Sequence, residues 1–364
     1  MKILQVINSL QTGGAEKLVV ESVPLYQQEG FDVDVLTLSI TNTAFWQSVE
    51  RSSSGTVQGL TRRSVYNPLL IFKIIPHLKK YDIVHAHLFP TLYWTVLAKW
   101  LSGSRTPIIY TEHNTHNKRR NHFLLKRIDQ FIYKKLFKIV TIAEEVDANL
   151  KKHISADSSK FTLIRNGVDV DSIAKAIPAN KEDFFKCNNQ IITQVSSFRA
   201  QKDQPTVIRM LQLLPAHFKL LLIGDGPLRK DCEELASHLG LSHRVQFLGL
   251  RNDIPSILKM SDYILLSSHH EGLSLSSIEG MASGKPFIAS DVAGLREIVK
   301  DYGLLFPEGD ERKLADIILR LADDPIEYSL VSNRGVHRAE NFNIDKMISK
   351  YITLYQDVLK ETKK

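Results

Sequence analysis

The feature of this chain that most constrains its fold is an alternation of strand and helix patterns that runs through it twice. In the first half, short apolar segments such as Lys2–Ile7 and Ile83–Ala86 are separated by helical stretches such as Ala15–Gln28 and Leu92–Leu101. Strands that alternate with helices form parallel sheets, with helices packed on both faces. The first half is therefore predicted to form a doubly wound α/β domain.

The pattern restarts after the turn signal Asn166-Gly-Val-Asp169 and a mostly polar stretch, 178–189. Further buried strands are predicted at Ile191–Val195, Lys219–Ile223, Val245–Leu248, Tyr263–Leu266 and Phe287–Ala289. We therefore predict two doubly wound Rossmann-like α/β domains that face a central cleft. They are predicted to span residues 1–168 and 190–340, with a linker at 169–189. Ligands of such sheets bind at the carboxyl ends of the strands.

The bulk composition is that of an ordinary globular protein. The chain has 364 residues, of which 43% are hydrophobic and 24% charged, which suffices for two domains with good cores. Its two cysteines, Cys187 and Cys232, match no metal or redox spacing. No apolar run is long enough to cross a bilayer. A cytoplasmic protein is predicted.

The net charge of +7 is distributed unevenly. Residues 1–165 carry 22 Lys/Arg and 13 Asp/Glu, a net of +9, whereas the remainder has a net of −2. The densest stretch, Lys118–Lys138, holds eight basic residues against Asp129. An apolar stripe passes through it at helical spacing, formed by Leu125, Ile128, Ile132 and Leu136. Such a helix could rest on the anionic inner face of the plasma membrane, or it is an ordinary amphipathic helix with one solvated face.

Nucleic-acid binding is not predicted, because no stacking aromatic residues are interleaved with the cations in a recognisable module. Two acid pairs, Asp32-Val-Asp34 and Asp169-Val-Asp171, have the spacing of metal ligands. The first begins an edge-like strand and the second lies in the predicted linker, so both are interpreted as solvated surface acids. No His/Cys cluster has zinc spacing. We predict no metal and no cofactor.

The segment Glu271-Gly-Leu-Ser-Leu-Ser-Ser-Ile-Glu279 carries the clearest chemistry. It follows an apolar strand and places two carboxylates on either side of a glycine-loosened turn. Backbone N–H groups at a helix start, here those of Gly272, Leu273 and Ser274, can bind a phosphate. Carboxylates can accept hydrogen bonds from sugar hydroxyls. Since a diphosphate joined to a polyol describes a nucleotide sugar, this segment is a candidate nucleotide-sugar site.

Three further loops at strand ends are candidates for the same ligand. Thr12-Gly13-Gly14-Ala15-Glu16 and Gly224-Asp-Gly-Pro227 each open a helix, and their glycines allow close approach of a ligand, although tight turns are the alternative. The first loop lacks the third glycine and the acid of the dinucleotide fingerprint, which disfavours an NAD-dependent enzyme. In Ser197–Lys202, Arg199 and Lys202 can neutralise charge on a leaving diphosphate, or they are solvated loop cations.

Histidines also cluster at strand ends. His85 and His87 alternate on one face of a strand, and Thr111-Glu-His113-Asn114 ends the next strand. Because strand ends in this fold point at the cleft, His113 is a candidate active-site group. Ordinary hydrogen bonding inside the fold is the alternative for His85 and His87.

Taken together, these residues resemble the retaining family-4 glycosyltransferases of GT-B architecture, and the resemblance covers nearly the whole chain. The paired-glutamate block with its trailing Gly284-Lys285-Pro286 is the specific part. The other matching motifs are Gly13–Glu16, Asp82–His87, Thr111–His113, Asn166–Asp169, Gly224–Pro227, Val245–Gly249 and Gly303–Pro307.

The resemblance implies a role for each matching residue. Glu279 would hold the ribose hydroxyls of the donor nucleotide, and Glu271 the hydroxyls of the donor sugar. Backbone N–H groups of Gly272–Ser274 would meet the diphosphate, and Lys202 would contact the leaving phosphates. His113 would lie near the reacting carbon.

The resemblance also implies that Gly13 and Gly14 leave room for the diphosphate, and that the final helix, 344–361, crosses back onto the first domain. One departure stands out, because Ser196-Ser197 occupies the place of the Gly-Arg pair that the family has before the lysine. We infer that Arg199 supplies the missing charge.

The predicted function is retaining transfer of a sugar from a nucleotide-diphosphate sugar, UDP- or GDP-linked, to a glycan or lipid-linked acceptor. The resemblance and the charge asymmetry suggest a part in surface polysaccharide biosynthesis at the membrane. Two alternatives remain open: a nucleotide-sugar epimerase of the same fold, and a non-catalytic nucleotide-sugar-binding protein.

Overall fold

The chain divides into two compact units. A computed structural model describes residues 1–11, 13–51, 56–113, 123–154, 157–186 and 188–363. The first unit comprises residues 1–167 together with the C-terminal helix Ile344–Lys363, and the second unit comprises Val168–Asn343. Both are α/β structures in which all the described strands run parallel, as the sequence predicts.

The first unit contains a parallel sheet flanked by helices. Its described strands are β1 (Lys2–Ile7), β2 (Asp32–Ser39), β3 (Val57–Thr61), β4 (Ile83–His87), β5 (Ile108–Glu112), β6 (Lys138–Thr141) and β7 (Phe161–Leu163). Its helices before the second unit are α1 (Gly14–Gln28), α2 (Ala44–Arg51), α3 (Leu70–Leu78), α4 (Thr91–Ser102), α5 (Phe123–Lys134) and α6 (Glu144–His153). The strand order is β3-β2-β1-β4-β5-β6-β7, so the chain changes direction across the sheet between β1 and β4.

The second unit repeats this plan. Its described strands are β8 (Gln190–Val195), β9 (Phe218–Ile223), β10 (Val245–Gly249), β11 (Tyr263–Leu266), β12 (Phe287–Ser290) and β13 (Leu304–Phe306). Its helices are α7 (Val170–Lys175), α8 (Gln204–Met210), α9 (Arg229–His238), α10 (Ile254–Met260), α11 (Leu275–Ala282), α12 (Ala293–Val299), α13 (Glu311–Asp323) and α14 (Pro325–Glu340), and the C-terminal helix Ile344–Lys363 is α15. The strand order is β10-β9-β8-β11-β12-β13, with the change of direction between β8 and β11.

The two faces of the first sheet differ in chemistry. Leu4, Val6 and Val84 point into an apolar core shared with α3 and α4. Successive side chains of a strand point to opposite faces, so Gln5 and His85, which are paired in the register of β1 and β4, share the other face. A polar face buried inside a protein needs hydrogen-bond partners, and α1 and α15 lie over this one.

Helix α15 packs closely where the chain leaves the first unit. The N–H of Gly167 contacts the sulfur of Met347 at 3.2 Å. A Cβ atom on Gly167 would lie 2.6 Å from the Cα of Ile344, so no larger residue fits there without displacing backbone. The loop after β7 and the start of α15 are therefore held together.

Residues 169–189, which the sequence suggests as a linker, belong to the second unit. Val170 and Ile173 of α7 are buried, and α7 packs on α10 and α11. Further along, the Nζ of Lys181 lies 2.7 and 2.9 Å from the two carboxylate oxygens of Asp262. The polar side chains of this stretch cap turns and pair with the second unit, so its polar composition does not reflect a lack of packing. Cys187 lies outside the described residues.

In the part of the chain that the structure describes, no helix has the length and apolar character needed to span a bilayer.

Candidate functional site

In the second unit, several predicted site residues gather at the carboxyl ends of β8 and β11. These strands lie on either side of the point where the strand order reverses, which is where ligands of doubly wound sheets bind. Strand β8 leads into the loop Ser196–Lys202, and β11 leads through Ser267–Ser274 into α11. The sheet topology thus brings the basic loop and the acidic loop side by side.

Lys202 and Glu271 form a buried ion pair between these two loops. The Nζ of Lys202 contacts the Oε1 of Glu271, and the Oγ of Ser268 donates a hydrogen bond to the same oxygen at 2.6 Å. The Lys202 side chain is 15% exposed and that of Glu271 7%. Within the described residues the second carboxylate oxygen of Glu271 has no hydrogen-bond partner. That oxygen is available to a ligand hydroxyl.

The backbone of Lys202 is fixed to both neighbouring strands. Gln194 of β8 donates from its Nε2 to the Lys202 carbonyl at 3.2 Å. Ser267, just after β11, places its Oγ 2.9 Å from the carbonyl oxygens of Lys202 and Asp203. The backbone N–H of Ser267 donates to the Oε1 of Gln194 at 3.2 Å. The backbone that carries the Lys202 ammonium group is therefore held in place. Stabilisation of charge by a preorganised group requires such a fixed position.

The start of α11 has the properties of an anion site. Its N-cap residue, Ser274, makes no side-chain capping hydrogen bond. Gly272 is partly exposed, whereas Leu273 and Ser274 are buried. Glu279 lies further along the same helix and is 5% exposed. The first N–H groups of a helix lack partners within the helix, so a phosphate here would meet backbone donors with a buried acid on each side.

Arg199 is not part of the buried pair. Its side chain is exposed, and within the described residues its guanidinium makes no hydrogen bond or ion pair. Its backbone N–H donates to the carbonyl of Ser197 at 3.0 Å, and the loop is anchored by Phe198, which is 1% exposed. The inference that Arg199 supplies the family's missing charge stays a prediction.

The conformation of Gly224 is required by packing. Its φ is +133°, and a Cβ there would lie 2.1 Å from the Ser196 carbonyl oxygen. Its N–H donates to the carbonyl of Gly249 at 2.8 Å. Gly224 therefore lets the loop after β9 approach the loop after β8, and its N–H is already engaged. A direct contact between that N–H and a ligand is not favoured.

Gly294 is a site residue that the sequence analysis missed. It lies in the first turn of α12, and a Cβ there would be 2.2 Å from the carbonyl oxygen of Glu271 and 2.3 Å from that of Gly272. The acidic loop therefore rests directly on this glycine. The sequence signal that could have identified Gly294 is its position shortly after β12, because that strand ends at the same edge of the sheet as the acidic loop.

In the first unit, Gly13 and Gly14 begin α1. Gly13 has extended backbone, with φ −170°, and its carbonyl accepts the first helical hydrogen bond from Lys17 at 2.9 Å. A Cβ on Gly13 would lie 2.2 Å from the Oε2 of Glu16, so the Glu16 carboxylate occupies the space beside the glycine. Burial raises the pKa of Glu16. Thr12 lies outside the described residues.

The three histidines form one connected group in the first unit. The Nδ1 of His87 lies 3.1 Å from the Nε2 of His113, and the rings of His85 and His87 lie 4.2 Å apart. His85 contacts the hydroxyls of Tyr355 and Thr111, each at 2.7 Å. His85 and His87 are thus hydrogen-bonded inside the fold, whereas His113, just after β5, is partly exposed.

The basic helix is only partly as predicted. Residues 114–122, with Asn114 and the first part of Lys118–Lys138, lie outside the described residues. In the remainder, Ile132 and Leu136 are buried, as the stripe predicts, but Ile128 is exposed. Asp129 points into the core, where the hydroxyl of Tyr93 contacts its Oδ1 and the Nε2 of His153 lies 2.8 Å from its Oδ2. The one acid of this stretch is therefore absent from its exposed face.

The acid pairs proposed as surface acids have structural partners. Asp34 accepts hydrogen bonds from Thr56 and from the Tyr81 hydroxyl, at 2.6 to 2.7 Å, so it is not simply solvated. Its strand, β2, lies between β1 and β3 and is not an edge. Asp169 caps α7 by accepting from the N–H of Ser172 at 2.8 Å. Among the described residues, no group of three or more His, Cys, Asp or Glu side chains is arranged to hold a metal ion.

Comparisons with known proteins agree with this arrangement. The family profile "Glycosyltransferase Family 4" matches residues 12–172, and "Glycosyl transferases group 1" matches residues 177–338. The chain is 30% identical over 300 residues to the UDP-Gal:alpha-D-GlcNAc-diphosphoundecaprenol alpha-1,3-galactosyltransferase of Escherichia coli, covering 77% of this chain and 76% of that protein. The chain belongs to glycosyltransferase family 4. The family prediction is confirmed.

Other relatives of this glycosyltransferase extend the comparison. The chain is 29% identical over 296 residues to the N-acetyl-alpha-D-glucosaminyl L-malate synthase of Bacillus anthracis, and the match covers 78% of this chain and 76% of that protein. HepE of Anabaena, solved in complex with UDP and glucose, superposes with a TM-score of 0.86 at 22% identity, over 98% of this chain and 99% of that one. WaaG, a glycosyltransferase involved in lipopolysaccharide biosynthesis, superposes with a TM-score of 0.76 at 17% identity, over 97% and 99%. The GT-B prediction of two Rossmann-like domains is confirmed.

Proposed function

We propose that this glycosyltransferase moves a sugar from a nucleotide-diphosphate sugar to a glycan or lipid-linked acceptor, with retention at the anomeric carbon and without a metal ion. The observation that carries the proposal is the second unit's pair of buried acids, Glu271 and Glu279, on either side of an uncapped helix start, with Lys202 held against the first acid. The names of the Escherichia coli galactosyltransferase and of the HepE complex favour a UDP-linked donor. The former, whose name gives a diphosphoundecaprenol-linked sugar as the acceptor, also favours a lipid-linked acceptor.

Donor binding is assigned to three parts of the second unit. Glu279 accepts hydrogen bonds from the ribose hydroxyls, and the N–H groups of Gly272–Ser274 receive the diphosphate at the positive end of α11. The open carboxylate oxygen of Glu271 accepts from a hydroxyl of the sugar. Because its other oxygen is held by Lys202 and Ser268, the carboxylate cannot rotate freely.

In the transfer step, the bond between the anomeric carbon and the phosphate oxygen breaks, and its electron pair leaves with the nucleotide diphosphate. Lys202 neutralises the charge that develops on this leaving group, and the exposed side chain of Arg199 is free to turn toward it. The acceptor hydroxyl oxygen bonds to the same face of the sugar, and its proton passes to the departing phosphate oxygen. His113 is assigned as the first unit's hydrogen-bonding group for the reacting sugar.

Donor identity is tested with a thermal-shift panel of UDP, GDP, ADP and their sugars. We expect UDP and a UDP-sugar to raise the melting temperature most, since a ligand at a hundred times its Kd stabilises the native form by about 2.7 kcal/mol. A Glu279→Gln variant should lose most of that shift, whereas Glu234→Gln, at an exposed acid of α9, should keep it. Equal, negligible shifts for all the nucleotides would contradict the proposal.

The alternatives are separated by product analysis. With donor alone, an epimerase converts the sugar without any acceptor, whereas a transferase leaves it intact apart from slow hydrolysis. With donor and a lipid-linked acceptor, a binding protein releases no free nucleotide. The anomeric coupling constant of the product tests retention, and activity that survives a chelator tests independence from metal.

A surface of the first unit supports a membrane-bound acceptor. Trp100 and Leu101 at the end of α4, and Ile128 and Phe131 of α5, are exposed. The rings of Trp100 and Phe131 meet edge to face at 6.2 Å, and the Nζ of Lys135 lies 5.5 Å from the centre of the Phe131 ring. Aromatic rings insert at the bilayer interface and neighbouring cations attract anionic headgroups. We propose that this apolar-basic patch rests on an anionic membrane face.

Vesicle flotation tests the patch. We expect the protein to float with vesicles that contain anionic phospholipid, and a Trp100→Ser/Phe131→Ser double variant to remain at the bottom at unchanged melting temperature. The change removes two exposed rings whose burial in lipid is worth about 1.5–3 kcal/mol each. Ile326→Ser, at an exposed residue of α14 in the second unit, is the matched control. Equal binding to neutral and anionic vesicles would remove the support for this surface.

A further inference from the structure

A buried polar network lies on one face of the first sheet, behind His113. It includes Gln5 of β1, His85 and His87 of β4, Thr111 of β5 and Tyr355 of α15, all of which are 5% exposed or less. These residues are up to 350 positions apart in sequence. Part of the network, with His113, lines a cavity of about 20 Å³, which is about the space that one water molecule needs. Helices α1 and α15, together with Asn166, contribute the rest of its wall.

Burial favours the neutral form of all three imidazole rings. Burial lowers the pKa of His85 to about 3 and that of His113 to about 4, and it lowers the pKa of His87 as well. A neutral imidazole carries one N–H and one bare nitrogen, and its hydrogen-bond partners decide which nitrogen is which. The tautomers within this group are therefore linked.

Two hydrogen bonds, the first between Gln5 and His87 and the second between His87 and His113, determine the tautomers of the two histidines. The Oε1 of Gln5, which can only accept, lies 2.8 Å from the Nε2 of His87, so His87 carries its proton on Nε2. The Nδ1 of His87 is then an acceptor, and the Nε2 of His113, 3.1 Å away, must donate to it. The Nδ1 of His113 is left bare, able to accept a hydrogen bond.

The orientation of the Gln5 amide decides this outcome, and the partner of its NH₂ group is the Tyr355 hydroxyl of α15. The Nε2 of Gln5 donates to the Tyr355 hydroxyl at 3.3 Å, and the Nδ1 of His85 lies 2.7 Å from the same hydroxyl oxygen. The Nε2 of His85 lies 2.7 Å from the Oγ1 of Thr111. If the amide were reversed, its NH₂ would face His87, the protons of both rings would shift, and His113 would carry its proton on Nδ1.

We propose that Gln5, oriented by Tyr355, is a positioning residue that fixes His113 as the Nε2–H tautomer and leaves its Nδ1 as an acceptor for a substrate hydroxyl. Only the last step, the substrate hydroxyl, rests on the proposed function. The tautomer itself is a property of the first unit and is measured without any substrate.

The test is nitrogen NMR of the full chain with labelled histidine, in which a bare and a protonated ring nitrogen resonate far apart. The signals of His113 are identified by their loss in His113→Asn. We expect the Nε2–H tautomer in the unaltered protein. In Gln5→Met, which keeps the length of the side chain but has no strong acceptor, we expect His113 to gain Nδ1–H character.

Tyr355→Phe provides a second variant that leaves Gln5 in place. It removes the acceptor for the Gln5 NH₂ and should give a mixture of the two His113 tautomers. An Nδ1–H tautomer in the unaltered protein, or unchanged His113 signals in both Gln5→Met and Tyr355→Phe, would overturn the proposal. These results hold whether or not the chain transfers sugar, so a failure of the proposed function would be seen separately in the product assay.

The change in the His113 tautomer is expected to lower the rate of sugar transfer. We expect Gln5→Met to lower kcat about tenfold, the value of one lost hydrogen bond to the reacting sugar, with little change in the Kd for UDP. A purely structural role for Gln5 would instead lower the melting temperature in proportion to activity, with His113 unchanged.

Discussion

Glu271→Gln is expected to lower the rate of sugar transfer by about a hundredfold or more, because charge-assisted hydrogen bonds are worth about 1.5–3 kcal/mol each. The substitution keeps the shape of the side chain and removes its charge. It also leaves Lys202 without its anionic partner in a largely buried position. The measurement is steady-state kinetics of transfer, together with isothermal titration of UDP.

The comparison with Glu279→Gln makes this prediction specific. Since Glu279 is assigned to the ribose, its variant should raise the Kd for UDP about tenfold or more and change kcat less. Glu271→Gln should show the opposite pattern, with kcat for transfer strongly lowered and the Kd for UDP largely unchanged. Glu234→Gln serves as the control at an exposed acid of the same unit. If both buried acids tolerated the change at full turnover, the assignment of the donor site would be wrong.

Gly294→Ala is expected to reduce transfer by about a hundredfold, because displacement of a catalytic group by about 1 Å can cost that much. The new methyl group would stand 2.2 and 2.3 Å from the carbonyl oxygens of Glu271 and Gly272, so backbone must move. The movement displaces the loop that carries the first acid and the phosphate-facing N–H groups. Transfer kinetics and UDP titration again provide the measurement, and both kcat and donor affinity should fall.

Gly335→Ala is the matched control for this substitution. Gly335 lies inside α14, and its Cβ would meet the nearest atom, on Met281, at 3.5 Å, an ordinary contact. Since alanine favours a helix over glycine by about 1 kcal/mol, this variant should keep its activity and melt at an equal or higher temperature. If Gly294→Ala behaved like Gly335→Ala, the support that α12 gives to the acidic loop would be unimportant.

The parts of the fold that could be read from sequence are those in which local pattern and burial agree. Tyr263–Leu266 is an uninterrupted apolar run, and it forms β11 with the predicted bounds. The edge strand Val57–Thr61 was not predicted, because half-exposed positions and Gly59 dilute its pattern. Helix α3, Leu70–Leu78, was missed because Pro76 lies inside it.

The residues of the candidate site likewise fall into those that could be predicted from the sequence and those that could not. Residues that follow strands could be found from topology alone, since the carboxyl ends of parallel strands meet at one edge; Lys202, Glu271 and His113 are of this kind. Gln5 could not be found, because a single polar residue inside a strand looks like an interruption of the core. Its partner Tyr355 lies 350 residues away, and Gly294 matters only through a backbone contact that no sequence pattern reports.

The first unit is assembled from two pieces of chain that are separated by the whole of the second. On the ribosome, Val168–Asn343 emerges before α15 does. Until that helix arrives, Gln5 and His85 lack the Tyr355 hydroxyl, and the sheet face beside them stays partly uncovered. The histidine arrangement of the first unit therefore depends on a helix that is synthesised only after the whole of the second unit.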